Sequence, residues 1–204
     1  MNDYKNISEV GGKMNAIDRL KMNIYDSYES TYKKLGSNIY RGHLRALSTE
    51  IEDAIALFIS EILPNCKVFI DPSIYINGKN NRPDILVVNE KNEAIFMIEV
   101  KANMGWCRNA SGVMNDIIEN NLKFAEGNKL KCEFSREESQ EIIYRDDVKL
   151  FLISFVDGNC SKKKHDLNKK YASERGIYHF SLFSGWYDNL NNCDIDFFQK
   201  ELLS

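Results

Sequence analysis

An α/β protein built around one mixed sheet is the fold class this sequence predicts, and three observations predict it. Apolar residues recur at helical spacing on both sides of a strand-rich middle. Within that middle the pattern changes to alternation and then to short continuous apolar runs. The resulting order is helix, three strands, helix, strand, a charged crossover and a last strand, which suits a sheet covered by helices. Composition agrees, since 43% of the 204 residues are hydrophobic and 11% aromatic, enough to fill a core and to exclude global disorder.

Residues 1–13 are polar, contain Gly11-Gly12 and read as a loose tail. From Asn15 onward Ile17, Leu20, Ile24, Tyr28, Tyr32 and Leu35 share a helical face, and Gly36 supplies a stop. Residues 1–43 are thus set apart as tail and helical extension, and 44–204 as the main domain. A second helix begins near Ser48, where Thr49 and Glu52 have capping-box spacing. Its stripe of Ile51, Ile55, Phe58 and Ile62 ends before Pro64. Lys67–Ile76 reads as one strand followed by turn chemistry at Asn77-Gly78-Lys79-Asn80-Asn81. Asp84–Val88 and Ala94–Lys101 read as a hairpin across the turn Asn89–Asn92.

Ser111–Glu126 returns to helical spacing through Val113, Met114, Ile117, Ile118 and Phe124, and stops at Gly127. Residues 128–147 are polar and charged, which predicts a loop or a short exposed helix. Leu150–Val156 and Ile177–Phe183 have the continuous apolar character of buried strands, with the charged Ser161–Arg175 between them. Ile195–Leu203 has the pattern of a short terminal helix.

Several function classes are disfavoured at once. No apolar run approaches the roughly 20 residues of a membrane helix, and the opening MNDYKNISEV lacks a signal pattern, so a cytoplasmic chain without a membrane partner is expected. Cys66, Cys107, Cys132, Cys160 and Cys193 lie too far apart in sequence for a zinc motif, and reduced thiols are expected. A formal net charge of −3 means that any nucleic-acid partner needs a local basic surface.

The informative stretch is RPDILVVNEKNEAIFMIEVKANMGW, from Arg82 to Trp106. Asp84 opens one strand, while Glu99 and Lys101 close the next and share a face with Ile95 and Met97. A hairpin would bring Asp84 to that pair. Two carboxylates about 4 Å apart repel by roughly 1 kcal/mol in water and about 4 kcal/mol at an effective dielectric near 20. A lysine offsets part of this and a divalent cation offsets more, with hard oxygen ligands favouring Mg²⁺. Such an ion polarises a phosphodiester and acidifies a water, so the residue types fit metal-assisted phosphodiester hydrolysis.

On these residues the chain resembles the PD-(D/E)XK nuclease superfamily. Asp84 follows a proline, and Glu99-Val100-Lys101 ends the next strand, within an αβββαβ order that spans about residues 44 to 183. The resemblance implies a restriction-endonuclease-like α/β core, a central mixed sheet flanked by helices, here with an added N-terminal helix. It implies that Asp84, Glu99 and the Val100 carbonyl bind Mg²⁺, with Mn²⁺ able to substitute. It gives Lys101 the task of positioning and deprotonating the attacking water or of stabilising the transition state. It also implies a glutamate on the preceding helix beside the metal. Glu50 and Glu52 flank the apolar stripe about equally; the resemblance implies an apolar residue three places on, which favours Glu52, followed by Ile55, over Glu50, followed by Asp53.

The expected activity is endonucleolytic cleavage of double-stranded DNA by a restriction or defence-type enzyme, and two-strand cutting would favour a homodimer. Arg82, Arg108 and the run Lys162-Lys163-Lys164 are the candidate phosphate contacts, with Trp106 a stacking candidate at the rim. Lys169-Lys170 and the group Arg41, His43 and Arg45 are further basic candidates, and Tyr25, Tyr28 and Tyr32 a packing set. The rival readings are a non-catalytic nucleic-acid-binding or regulatory module of the same fold, and a nuclease for branched DNA or RNA.

Overall fold

Two sheets and five helices make up the described parts of the chain. The computed structural model describes residues 14–33, 47–76, 79–107, 109–134, 138–157, 160–187 and 189–204. In chain order the helices are α1 (Ala16–Lys33), α2 (Ser48–Ile62), α3 (Ala110–Gly127), α4 (Lys162–Ser173) and α5 (Ile195–Leu202). The first strands are β1 (Lys67–Ile70), β2 (Ser73–Ile76), β3 (Lys79–Asn81), β4 (Ile85–Val88) and β5 (Ala94–Asn103). They are followed by β6 (Lys129–Glu133), β7 (Ser139–Ile143), β8 (Lys149–Val156), β9 (Ile177–Trp186) and β10 (Asn189–Asn192).

The main sheet has the order β1-β4-β5-β8-β9-β10, with β4 antiparallel to both neighbours and β5, β8 and β9 parallel. Its two faces bury different layers. Leu20 and Ile24 of α1, the α2 stripe Ile51, Ile55, Phe58 and Ile59, and Ile195, Phe198 and Leu202 of α5 cover Ile85, Val87, Ile98, Val100, Phe151 and Ile153. On the opposite face Met114, Ile117 and Phe124 of α3 pack with Leu86, Met97, Leu150 and Leu152, joined there by β2, β6 and β7. Each large apolar side chain so buried contributes about 1.5–3 kcal/mol.

The expected hairpin forms: Ile85 pairs with Ile98, Leu86 with Met97 and Val87 with Phe96. The register then shifts between Val87 and Val88, and this bulge turns Ile95 onto the α2 face, away from Met97. Ile95 therefore does not share the face of Glu99 and Lys101, because a single extra residue reverses the alternation.

Three other expectations are corrected. Lys67–Ile76 is two strands, not one. Asp71 adopts φ 48° and Pro72 follows, so β1 stays in the main sheet while β2 crosses to a second sheet of order β3-β2-β6-β7. Residues 128–147, expected as a loop or helix, hold the β6–β7 hairpin. Leu130, Cys132 and Ile142 face inward there, while Lys129–Glu141 and Lys131–Glu133 ion pairs line the outside, so three buried residues carry the whole strand signal. The capping box is absent too: α2 begins at Ser48 with Leu47 at the cap, so Thr49 and Glu52 lie inside the helix.

Tyr28 rests on Tyr187 at 5.8 Å between ring centroids, which assigns it to packing within the chain. The Tyr32 side chain and Arg41, His43 and Arg45 lie outside the described residues. All five cysteines are free thiols. No helix among the described residues is long and apolar enough to cross a membrane.

Candidate active site

The hairpin register determines the site. Because Ile85 pairs with Ile98, Asp84 lies one step before β4 and opposite Glu99 on β5. The Asp84 carboxylate accepts the Val100 N–H at 2.7 Å, a charge-assisted bond that holds it against the neighbouring strand. Glu99 and Lys101 project from one face of β5 and Val100 from the other, where it enters the α2 core. The Lys101 Nζ lies 2.5 Å from Glu99 and 3.8 Å from Asp84, and it donates to the Val100 carbonyl at 3.1 Å. The three side chains keep 23–31% of their surface exposed, so the cluster is sunk in the sheet end yet open to solvent.

Burial dominates the electrostatics. It raises the Asp84 carboxyl above its ordinary value, against the Val100 N–H and the Lys101 charge, which pull it down. Glu99 is raised by burial and then by the Asp84 charge, with Lys101 opposing and Asp116 of α3 adding to the rise. Burial alone would lower Lys101, but Glu99 and Asp84 outweigh it and keep the ammonium charged above its usual range.

Glu52, half-buried near the start of α2, completes the set. Burial first, then the charges of Asp84 and Asp71, push its carboxyl up to about 7 while Lys101 pulls it down. Glu52 is thus close enough to Asp84 and Lys101 to feel both charges.

Asp71 was invisible to pattern reading. Its N–H donates to the Asp84 carbonyl at 2.8 Å, its carboxylate pairs with Arg82, and its charge raises both Asp84 and Glu52. The signal was present only as an Asp-Pro step inside an apparent strand.

The nucleic-acid candidates are scattered. Arg82 stands at the site rim on Asp71. Lys162 and Lys163 are exposed on the first turn of α4, capped by Ser161. Lys164 folds back toward the carbonyls of Gly105 and Cys107, 3.4 Å from each, on the turn that follows β5. Lys169 is committed to Asp194 at 2.7 Å and Lys170 lies near Glu174. Arg108 and the Trp106 side chain lie outside the described residues.

Among the described residues, no group of three or more histidine, cysteine, aspartate or glutamate side chains stands ready to enclose a metal ion. The donors that converge are two carboxylates and one main-chain carbonyl. Mg²⁺ binds in this manner, through one or two carboxylates with water in its remaining positions, so the donor set fits that ion. The unfavourable burial of both acids is a second reason, because a divalent charge would reverse it. Comparison with protein-family models, curated proteins and solved structures returns no match to this chain.

Proposed function

We propose that this chain is a Mg²⁺-dependent endonuclease hydrolysing phosphodiester bonds of double-stranded DNA, built on the restriction-endonuclease-like plan. The observation that carries the reading is the convergence of Asp84 and Glu99, across the β4–β5 hairpin, on the Lys101 ammonium. The succession α2, β1, β4, β5, α3, β8 supports it, being the αβββαβ order with hairpins inserted after β1 and α3.

Asp84, Glu99 and the Val100 carbonyl would hold the ion. When bound, it supplies a Lewis acid for the phosphoryl oxygen and lowers the pKa of a water. Lys101 remains charged beside two carboxylates, so its task is to donate to the attacking water and to the developing phosphorane charge rather than to accept a proton. Glu52, half-buried and within reach of the Asp84 and Lys101 charges, would accept the proton of the attacking water. Lys162 and Lys163 contact the phosphate backbone beyond the scissile group.

Supercoiled plasmid, linear duplex, a four-way junction and RNA, each incubated with the protein and Mg²⁺, test the substrate class. Duplex cleavage that is lost in EDTA and in Asp84→Ala is expected. Cleavage confined to the junction or to RNA would replace the substrate, and binding without any cleavage would establish a non-catalytic module instead.

A further inference from the structure

Arg82 lies two residues before Asp84, and its guanidinium pairs with Asp71 at the rim of the site. Both side chains are about half exposed, at 53% and 50%. Among the described residues Asp71 is the partner of Arg82, so the rest of the five-donor fork is open to solvent. The surroundings are otherwise acidic: Glu52 feels the charges of Asp84 and Asp71, Glu99 feels that of Asp84, and Lys101 is occupied by Glu99 and the Val100 carbonyl. A polyanionic substrate entering this rim meets repulsion unless a cation comes forward.

Asp71 is built to hold that cation without burying it. Its φ of 48° is a conformation that aspartate tolerates better than most residues, and its N–H is fixed on the Asp84 carbonyl at 2.8 Å. The Asp71 main chain is thereby anchored beside the site. An exposed ion pair of this kind contributes little, so a phosphate that offers the guanidinium two oxygens can replace it.

We infer that Arg82 is a substrate-phosphate arm resting on Asp71, and that it exchanges the Asp71 carboxylate for a backbone phosphate next to the scissile one when nucleic acid binds. This rests on the nuclease reading and adds to it the carboxylate that competes with the substrate for Arg82.

Steady-state cleavage of a duplex at several salt concentrations tests the exchange in wild type, Arg82→Ala, Asp71→Asn and the double variant. Asp71→Asn keeps the main-chain N–H and tolerates the positive φ. Arg82→Ala is expected to raise KM about tenfold, with kcat within about twofold, and to reduce the salt slope by about one. Asp71→Asn is expected to lower KM about threefold, because the competitor is gone, and most of that gain should vanish when Arg82 is already alanine. Arg82→Lys, which keeps charge but not the fork, should fall between. A gain from Asp71→Asn that persists in full beside Arg82→Ala would overturn the exchange, as would an unchanged KM in Arg82→Ala. Wild-type protein that cleaves no duplex would overturn the nuclease reading and this inference with it, whereas normal cleavage insensitive to Arg82 overturns this inference alone.

Discussion

Two polar clusters occupy one face and one level of the main sheet. Glu99 is in register with Leu152 and that with His179, and Lys101 is in register with Ser154 and that with Ser181. At the β5 end, two carboxylates face one ammonium, both acids are raised by burial, and the group opens to solvent. At the β9 end the charges are settled internally. Asp194 accepts from Lys169 at 2.7 Å and from the Ser181 N–H at 2.9 Å, while the Ser181 hydroxyl meets His165 Nε2 at 2.8 Å under α4. His179, buried beside them, stays neutral because desolvation, with the His165 and Lys169 charges, depresses it to about 4 against the opposing pull of Asp194. The contrast separates a network whose charges are paired internally, although both nitrogens of the buried His179 lack a hydrogen-bond partner among the described residues, from one that sets two acids against a single ammonium.

The largest effect that would break this contrast is on catalysis. Asp84→Asn is expected to reduce plasmid cleavage by about 10³-fold or more, with the thermal unfolding midpoint held or raised, because it keeps an acceptor for the Val100 N–H and removes a charge that burial disfavours. Asp194→Ala should do the reverse. It strands the Ser181 N–H and the Lys169 ammonium, so urea unfolding should show a loss of about 1–3 kcal/mol while cleavage persists.

The pH dependences sharpen the difference further, since the two clusters titrate with opposite sign. His179 binds its proton less readily in the folded chain, so its share of stability is present above its ordinary 6.5 and is lost as pH falls through 6.5 toward 4. His179→Leu should therefore move the acid-unfolding midpoint to lower pH. Glu52 binds its proton more readily when folded, so its share is present below about 4.5 and is lost as pH rises through 7. Glu52→Gln should recover about 1 kcal/mol at pH 8, after allowance for solvent screening at a half-buried helix face, and should flatten a cleavage rate that rises through neutrality. The smallest effects belong to Lys162→Ala and Lys163→Ala, each expected to reduce the salt slope of DNA binding by about 0.9 with kcat unchanged.

How much of this was legible differs between the clusters as well. The β5 site announces itself because its residues are close in sequence: Ile-Glu-Val-Lys alternates within an apolar strand, and one turn returns the chain to Asp84. The α2 stripe was equally plain and put Glu50 and Glu52 on its two flanks, whereas the capping-box role failed. The β9 network gave no signal, since His165, Ser181 and Asp194 meet only after α4 folds across the sheet. Asp71 escaped because its role depends on a backbone angle and on a change of sheet at Pro72, neither of which alternation reveals. The β6–β7 hairpin escaped because charged outward faces outnumber its few buried residues. Local periodicity was readable, and contacts made by chain crossings were not.

A single time course sets the two clusters directly against each other: supercoiled plasmid with Mg²⁺, cut by wild type, Lys101→Ala and His165→Ala at equal concentration. Cleavage abolished by Lys101→Ala and within about twofold of wild type in His165→Ala is the expected result. Cleavage surviving in Lys101→Ala, or lost in His165→Ala while that variant remains folded, would contradict a catalytic centre at the end of β5.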